Sequence, residues 1–404
     1  MNISNNEDKT KYQAELFANR LRRKYKELRK QMRKNRVCCY RLYDRDIPEV
    51  PVSLDLYEFL PDEVDSVIEA ARFMAAQNER LSANDPAVER EIKDRTFAVL
   101  YLYERPYEKA DEDEAEWLNA MSEAAATVIG IEKAHVVLKA RGKKSHKDGA
   151  ENAQYQKMPG SSPSMTNASS GENVIVGLDP TIRTITGNVM EQGQLFRLDL
   201  TSYLDTGLFF DHRSLRATVR DTCSKKRVLN LFCYTGSFSV YAAQGNASYV
   251  ESVDLSNTYL AWAKDNMKLN GFTDRNRYVF TRADCMRFLQ EKAVAAKSKE
   301  LSPDQMYDLI ILDPPTFSNS KATADVLDIN RDWPQLVKDC LNILAPGGKL
   351  YFSTNSERIK FDISKIPPKT ANGAEFEWKD ITEQTIPVDF AGKKPHRVWE
   401  FVLK

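Results

Sequence analysis

The sequence has no long apolar run and no cysteine pattern typical of a metal site. No segment approaches the roughly 18 apolar residues of a membrane-spanning helix, and the opening residues, MNISNNEDKTKY, are too polar for a signal peptide. The six cysteines, at positions 38, 39, 223, 233, 285 and 340, form no Cys-x-x-Cys pair. A membrane protein and a structural zinc site are therefore disfavoured. We expect a cytoplasmic protein with reduced thiols and no metal.

Net charge is also lacking, because 58 Lys and Arg residues balance 58 Asp and Glu residues among 404. The charge is unevenly placed, however, since Arg20–Arg36 holds ten basic residues and one acid, Glu27. Apolar side chains recur here at steps of three or four, which predicts an amphipathic helix; they are Phe17, Leu21, Tyr25, Leu28 and Met32. So dense a basic face favours phosphate binding. The alternative is a solvated helix surface.

Two or three domains are expected, because 404 residues exceed what one hydrophobic core usually fills. Residues 1–37 are predicted to be a basic helical segment, and residues 38–200 a small α+β domain that serves RNA binding. That domain includes a predicted helical insertion at about 59–94, with one side formed by Val64, Val67, Ile68, Ala71 and Phe73. Residues 142–173, rich in Lys, Ser, Gly, Asn and Pro, predict a mobile loop. Gln192-Gly193 predicts a hairpin turn.

After about residue 200, short apolar strands alternate with helices. The strands are expected at 227–232, 249–254, 277–281, 307–313 and 349–353, and the helices between them at 237–244, 257–269, 286–296 and 332–344. Two further short strands are expected near 375–379 and 396–403. This alternation predicts an α/β domain over 201–404 with a doubly wound, mostly parallel sheet.

Four loops follow successive strands, at the edge of the sheet where α/β proteins bind ligands. The first is Cys233–Ser237, whose Gly236 allows close backbone approach although the loop lacks the three glycines of a dinucleotide fingerprint. Asp254 ends the next strand and can accept hydrogen bonds from ribose hydroxyls. Asp284 follows the third strand, and Asp313–Phe317, of sequence DPPTF, follows the fourth. Each loop alone has an ordinary explanation as a turn or helix cap, so the order of the four carries the signal.

This order of glycine loop, acid, acid and Asp-Pro-Pro-aromatic resembles the Rossmann-like methyltransferases that depend on S-adenosylmethionine. The resemblance implies S-adenosyl-L-methionine as the cofactor. It assigns Asp254, with Leu255 beside it, to the cofactor ribose, and Asp284 with Cys285 to the adenine ring. The methionine moiety would be lined by Asn230, Phe232, Tyr234, Thr235 and Gly236.

Longer segments resemble one particular family in the same order. They are YLDTGLFFDHR (203–213), NLFCYTGSFSV, DLSNTYLAWAKDNMKLNG, ADCMRFL, DPPTFSNSK and LAPGGKLYFSTNSERIKFD, with FANRL, CYRLYDRDIPE and QYQKM (Gln154–Met158) in the first half. They are similar to the C-terminal half of the bacterial bifunctional 23S ribosomal RNA methyltransferase, the half that makes N7-methylguanine. The half with N2-guanine activity has no counterpart in this sequence. The loop near 158–172 is also longer than this family leads us to expect.

The resemblance implies that 23S ribosomal RNA, or a precursor of the large subunit, is the partner. Asp205, Phe209, Asp211 and Arg213 would close over the cofactor. Asp313, Pro314, Pro315 and Phe317 would position the target base, with Phe317 stacking on it or, alternatively, lying in the core. Asn355 would face the base or cap a turn. The residues expected to bind RNA are Arg20, Arg22, Arg23, Lys26, Arg29, Lys30 and Arg33.

Guanine N7 carries a lone pair and no proton, so methyl transfer to it needs no base; the enzyme has to align the methyl group with N7 and exclude water. The nearest alternative, 5-methylcytosine formation, requires a cysteine nucleophile, and neither DPPTF nor FSTNS contains one. Amino-group methylation usually goes with Asn-Pro-Pro rather than Asp-Pro-Pro. A third alternative is a catalytically idle RNA-binding assembly factor. The retained glycine loop, Asp254 and Asp284 favour an enzyme over that factor.

Overall fold

The computed structural model describes residues 3–102, 111–140, 174–176, 184–318 and 326–404. The chain divides by its internal contacts into a first unit, residues 1–208, and a second unit, residues 209–404. The predicted mobile loop at 142–173 and the Gln154–Met158 motif within it lie outside the described residues. Over the described ranges, no helix has the length and apolar character needed to cross a membrane.

In its described residues, the first unit consists of a five-stranded sheet, a hairpin and four α-helices. The sheet order is β1-β2-β3-β4-β5, with β3 and β4 parallel and the other neighbours antiparallel. Its strands are β1 Cys39–Asp44, β2 Val52–Glu58, β3 Thr96–Leu102, β4 Val136–Ala140 and β5 Val174–Val176. The hairpin joins β6 Thr186–Glu191 and β7 Gln194–Asp199, and the helices are α1 Ile3–Lys34, α2 Val67–Ser82, α3 Pro86–Asp94 and α4 Asp111–Ile129.

Helix α1 and helix α4 share the core of this unit with the sheet. The apolar stripe predicted for α1 is buried at four of its five positions, and Tyr25 is half-buried. The ring of Phe17 meets Tyr43 edge to face at 4.8 Å, and Trp117 Nε1 of α4 donates to Gln13 Oε1 at 2.7 Å. The hairpin turn predicted at Gln192-Gly193 is confirmed, since both residues have positive φ, as a two-residue turn between twisted strands requires.

The predicted insertion is helical, but its predicted buried side is wrong. Ile68 is 63 % exposed, and the buried residues of α2 are Ala70, Met74 and Gln77. Val64 precedes the helix and so does not set its face. The buried side also carries a polar contact, because Gln77 Nε2 donates to Glu58 Oε1 at 3.1 Å, as a buried amide requires.

The second unit is built on a seven-stranded sheet with helices between its strands. The sheet order is β10-β9-β8-β11-β14-β16-β15, parallel from β10 to β14 and antiparallel across β14–β16 and β16–β15. Its strands are β8 Arg227–Leu231, β9 Tyr249–Asp254, β10 Tyr278–Arg282, β11 Tyr307–Leu312, β14 Leu344–Thr354, β15 Phe376–Asp380 and β16 Arg397–Leu403; a short ribbon pairs β12 Phe317–Ser318 with β13 Leu327–Asp328. The helices are α5 Arg213–Thr222, α6 Ser237–Gln244, α7 Asn257–Leu269, α8 Cys285–Lys297, α9 Ile329–Asn342 and α10 Thr382–Thr385.

The predicted fold class, α/β with a doubly wound and mostly parallel sheet, is confirmed for this unit. Strand order reverses between the neighbours β8 and β11, because the chain runs outward from β8 through β9 to β10 and then returns to the other side of β8. Ligands bind at such a switch point, beyond the carboxyl ends of the strands. The side chains that follow β8, β9, β10 and β11 are therefore the candidates for function.

Candidate active site

The glycine loop, residues 233–237 after β8, has a backbone conformation that requires a glycine at position 236. Phe232 and Tyr234 have φ of 54° and 51°, and Gly236, which begins α6, has φ of 74°. A Cβ added to Gly236 would lie 2.8 Å from the Cβ of Ala263 on α7. Loop and helix can approach this closely because residue 236 is glycine, which leaves the backbone of the loop at the surface of the switch point.

A buried hydrogen-bond network supports this loop from behind. Asn230 is 2 % exposed, and its Nδ2 donates to Ser239 Oγ at 2.9 Å, which in turn bonds to Ser252 Oγ at 2.8 Å. Asn266 Nδ2 donates to the carbonyl oxygen of Thr235, also at 2.9 Å. Asn230 and Thr235 thus hold the loop in place through the protein interior. Their direct contact with the cofactor stays a prediction.

Asp254, at the end of β9, is fastened to the glycine loop. Its Oδ2 accepts the backbone N–H of Tyr234 at 2.9 Å, and its Oδ1 accepts that of Ser256 at 2.9 Å. Burial raises the pKa of this carboxyl above its ordinary value, and the backbone N–H groups oppose that shift. A carboxylate has about four acceptor positions, and the backbone N–H groups of Tyr234, Ser256 and Leu255 use three of them, so Asp254 keeps acceptor capacity for a ribose hydroxyl. The neighbouring Leu255 accepts from Arg282 Nε through its carbonyl oxygen at 3.3 Å.

Asp284 and Cys285 open α8, beyond β10. Asp284 Oδ1 caps the helix by accepting the N–H of Met286 at 2.8 Å, and its Oδ2 makes no hydrogen bond in the part of the chain that the structure describes. Cys285 is buried, and its Sγ accepts the N–H of Phe232 at 3.3 Å. The carboxyl ends of β8, β9 and β10 are thereby brought together, as the order of motifs predicts.

Four aromatic rings flank the glycine loop, and one of them is exposed. Phe209 is 39 % exposed, and its ring centroid lies 5.3 Å from that of Tyr234. Tyr234 also meets Tyr259 at 4.7 Å and Trp262 at 6.4 Å. These four rings form an apolar wall beside the loop, which suits the uncharged portions of a nucleoside.

The other residues of the YLDTGLFFDHR segment are placed differently. Arg213 is buried, and its guanidinium donates to the buried carboxylate of Asp389 at 2.8 Å, which anchors the start of α5. Asp211 is engaged with histidine, as described below. Asp205 belongs to the first unit, where its charge adds to the burial that raises the pKa of Tyr101. The closure of Asp205, Asp211 and Arg213 over the cofactor stays a prediction.

The Asp-Pro-Pro-Thr-Phe loop follows β11 and presents an aromatic ring to solvent. Pro314 is buried and Pro315 half-buried, whereas Phe317 is 46 % exposed, so the alternative placement of this ring in the core is wrong. Thr316 Oγ1 donates to Asn355 Oδ1 at 2.7 Å. Asn355 thus fastens the DPPTF loop to the end of β14, and the two predicted base-binding segments lie side by side.

A cluster of buried histidines lies next to Asp313, and the sequence patterns did not identify it. His212 Nε2 lies 3.5 Å from Asp313 Oδ1 and 2.7 Å from Ser353 Oγ. His396 Nδ1 lies 2.9 Å from Asp211 Oδ2. A signal was available, because the chain has four histidines and one of them stands between Asp211 and Arg213. His396 lies far away along the sequence, and the fold alone brings it here.

The basic helix α1 carries both paired and open cations. Arg20 and Lys24 contact Asp46 at 2.8 and 3.0 Å, and Glu89 of α3 pairs with both Arg29 and Arg33. The exposed Arg23 pairs with Glu27 at 3.0 Å. Arg22, Lys26 and Lys30 are exposed and make no ion pair within the described ranges. A surface depression along α1 is lined by Arg22, Tyr25, Lys26, Arg29, Lys30, Arg33 and Val128.

Comparison with known proteins agrees with this geometry. Residues 179–375 match the family model described as S-adenosylmethionine-dependent methyltransferase. The chain is 35% identical over 384 residues to a ribosomal RNA large subunit methyltransferase K from Neisseria meningitidis serogroup B, covering 95% of this chain and 86% of that protein. It is 34% identical over 387 residues to a ribosomal RNA large subunit methyltransferase K/L from Magnetococcus marinus, of which it spans 42%.

Solved structures share the fold. A SAM-dependent methyltransferase from Streptococcus mutans has a TM-score of 0.62 at 18% identity, covering 96% of this chain and 81% of that one. A methyltransferase structure complexed with SAH gives the same values. The glycine at position 236 and the remaining acceptor capacity of Asp254 fit S-adenosylmethionine, which supplies an electrophilic methyl group when bound. The chain belongs to the family of ribosomal RNA large subunit methyltransferases K and K/L, enzymes that use S-adenosylmethionine as cofactor.

Proposed function

We propose that this enzyme methylates N7 of a guanine in 23S ribosomal RNA. The observation that carries the proposal is the DPPTF loop at the end of β11, which presents the exposed ring of Phe317 next to the switch point of the sheet. An exposed aromatic ring is suited to stack on an unpaired base. The relatives' names supply the RNA class. The K/L relatives are more than twice as long as the part that this chain matches.

Direct transfer without a base agrees with the state of Asp313. Burial alone would raise the pKa of this carboxyl, but the charge of His212 outweighs burial and lowers it. A carboxylate with a lowered pKa is a weak base at neutral pH. Guanine N7 needs none, whereas an exocyclic amino group has to lose a proton during methylation. The chain's contribution is then to orient the base and exclude water.

A covalent route through cysteine is disfavoured by the same region. All six cysteines are buried. Burial raises the pKa of both Cys233 and Cys285, the cysteines nearest the switch point, well above the ordinary value. A thiol held in its protonated form is a poor nucleophile. The 5-methylcytosine alternative therefore lacks the group that its chemistry needs.

The open cations of α1 are proposed to contact RNA phosphates. Lys26 and Lys30 are one helical turn apart and exposed, so both can face one strand. Arg29 and Arg33 are already paired with Glu89, which reduces their charge toward an external phosphate. The enzyme would then work where ribosomal RNA is assembled, in the cytoplasm.

Charge reversal tests this face. Lys26→Glu with Lys30→Glu should weaken RNA binding and lower the slope of log affinity against log salt by about 1.4, the value for two phosphate contacts on single-stranded RNA. The matched control is Lys297→Glu with Lys299→Glu, which makes the same charge change on exposed residues at the end of α8. Equal losses in both double variants would show that only the total charge matters, and an unchanged slope in the first would refute the proposed face.

Nucleoside mapping tests the modification itself. Ribosomal RNA from cells with and without the gene for this chain is digested and analysed by mass spectrometry. We expect one N7-methylguanine in 23S RNA to be present only when the protein is present. If cells without the gene lacked a 5-methylcytosine or an N2-methylguanine but contained the same N7-methylguanine as cells with the gene, the proposal would be contradicted.

A further inference from the structure

Two of the four histidines in the chain stack on each other inside the second unit. The rings of His212 and His396 are 4.4 Å apart, with an angle of 27° between their planes. Both side chains are buried, at 5 % and 1 % exposed. A buried imidazole requires hydrogen-bond or ionic partners. Here those partners come from three separated segments that the site already uses.

The contacts run in a line from Asp211 to Asp313. His396 Nδ1 and His212 Nδ1 lie 2.9 and 3.3 Å from the same oxygen, Asp211 Oδ2. The other ring nitrogen of His212, Nε2, faces Ser353 Oγ at 2.7 Å and Asp313 Oδ1 at 3.5 Å. His212 therefore bridges the carboxylate of its own turn to the carboxylate that begins the DPPTF loop.

The charges in this cluster favour an imidazolium at His212. Burial alone would lower its pKa, but the carboxylates of Asp313 and Asp211 outweigh burial and raise it to about 10. The pKa of His396 is lowered, by burial and by the neighbouring charge of His212. Both carboxyls have lowered pKa values. At neutral pH the cluster thus holds two carboxylates, one imidazolium and one neutral imidazole.

The groups around the cluster do not change this balance. The charged pair next to it consists of Arg213 and Asp389, whose charged atoms lie 2.8 Å apart. The ring of Phe238 on α6 packs edge-on against His212 at 5.9 Å. On the far side, Thr385 Oγ1 of α10 lies 3.0 Å from His396 Nε2. Between these two sides His212 is held by the stack on His396 and by the nearby charge of Asp211, because its Nδ1 makes no hydrogen bond within the described residues.

We propose that His212 is a positioning residue for methyl transfer, which fixes the Asp313 carboxylate at the end of β11 while Asp211 and His396 fix the ring of His212. This inference rests on the proposed function, because Asp313 begins the loop proposed to hold the target base. Methylation at N7 leaves a positive charge on the guanine ring. A carboxylate already oriented toward the reacting base stabilises such a charge without reorganisation at the moment of transfer.

The first test is the pH profile of His212→Gln. Without the imidazolium, Asp313 loses the influence that lowers its pKa. The pKa of Asp313 should therefore rise, so that this carboxyl becomes partly protonated between about pH 5 and 7. We expect kcat to fall at least tenfold at neutral pH and to show a new acid limb, while affinity for S-adenosylmethionine changes less than threefold. Thr385→Val is the control, because it breaks the far end of the cluster and should keep the wild-type profile. An unchanged profile in His212→Gln would overturn the inference.

The second test needs neither RNA nor a variant. With four histidines in the chain, nuclear magnetic resonance of ring-labelled protein can follow each imidazole separately. We expect His212 to carry both ring protons at pH 8 and His396 to carry one. Titration of His212 near 6.5 would overturn the inference. So would a stoichiometric metal in the purified protein, since the donor atoms of Asp211, His212 and His396 lie within 4.8 Å of one another.

The inference and the proposed function can fail separately. Formation of a different methylated nucleoside by the wild-type enzyme refutes guanine N7 as the target, and the pH profiles can still be measured on that acceptor. A neutral His212, or an acid limb in His212→Gln that is no larger than the one in the wild type, refutes the role of His212 whatever the acceptor is.

Discussion

Replacement of Gly236 by alanine should destabilise the protein in two ways, through the backbone conformation at this position and through a close contact of the added Cβ. The backbone at Gly236 has φ of +74°, which costs an alanine about 1–2 kcal/mol. The added Cβ would also lie 2.8 Å from Ala263 Cβ and 3.3 Å from its Cα, and overpacking of this kind typically adds about 1–3 kcal/mol. We therefore expect Gly236→Ala to lower the free energy of unfolding by about 2–5 kcal/mol.

Gly271 provides the matched control. Its φ is +81°, but an added Cβ meets nothing within 4 Å. Gly271→Ala should thus cost only the backbone contribution, about 1–2 kcal/mol, and leave cofactor binding intact. Denaturant unfolding gives the stabilities, and isothermal titration with S-adenosylmethionine gives the affinities. Adding Ala263→Gly to Gly236→Ala should recover at least about 1 kcal/mol beyond additivity.

The reasoning about the loop would be refuted by one clear result. If Gly236→Ala lost no more stability than Gly271→Ala and bound S-adenosylmethionine with wild-type affinity, close approach at position 236 would not matter. If both alanine variants lost affinity equally, the effect would come from general destabilisation. Only a loss of affinity confined to Gly236→Ala, and partly rescued by Ala263→Gly, agrees with the geometry.

Two further predictions concern the cofactor carboxylate and the exposed ring. Asp254→Ala should weaken S-adenosylmethionine binding tenfold or more, since one hydrogen bond to a charged acceptor contributes about 1.5–3 kcal/mol. The control, Asp274→Ala, also removes a bond to a backbone N–H, but at an exposed turn, and should bind the cofactor normally in the same titration. Equal affinities of the two variants would contradict the assignment. Phe317→Leu should lower kcat/KM for RNA by about fivefold to 150-fold, since stacking on one base contributes about 1–3 kcal/mol. Phe317→Trp keeps an aromatic ring and should retain most activity. A fully active Phe317→Leu variant would argue against stacking.

The second unit could be predicted closely from the sequence because its signals are local. Apolar strands such as Arg227–Leu231 and Tyr249–Asp254 are bounded by turns and followed by helices, and their ends lie within two residues of the expected positions. β14 is longer than expected, beginning at Leu344 rather than Lys349. Leu344 pairs with Tyr307 of β11, and the pairing resumes at Lys349 after a shift in register. The residues between them form an irregularity in which Gly347 has φ of 75°, and this early pairing leaves no periodic pattern in the sequence.

The candidate site was harder to predict where roles depend on packing. The resemblance implies that Asn230 lines the methionine moiety of the cofactor, and that contact stays a prediction. Its bond to Ser239 in the protein interior could not be predicted from the sequence, because it depends on the packing of α6 against β8. The buried side of α2 differs from the expected one because it is formed by Ala70, Met74 and Gln77, and a polar residue such as Gln77 does not count toward an apolar pattern. The contact between His212 and His396 spans 184 residues and so leaves no local pattern in the sequence.

The central claim is the transfer of a methyl group to guanine N7, and one reaction tests it most directly. The purified protein is incubated with methyl-labelled S-adenosylmethionine and 23S RNA from cells that lack it, and the RNA is digested to nucleosides. We predict label in N7-methylguanine alone, and none with the Asp254→Ala variant. Label in 5-methylcytosine, in an amino-methylated base, or in no nucleoside at all would contradict the account.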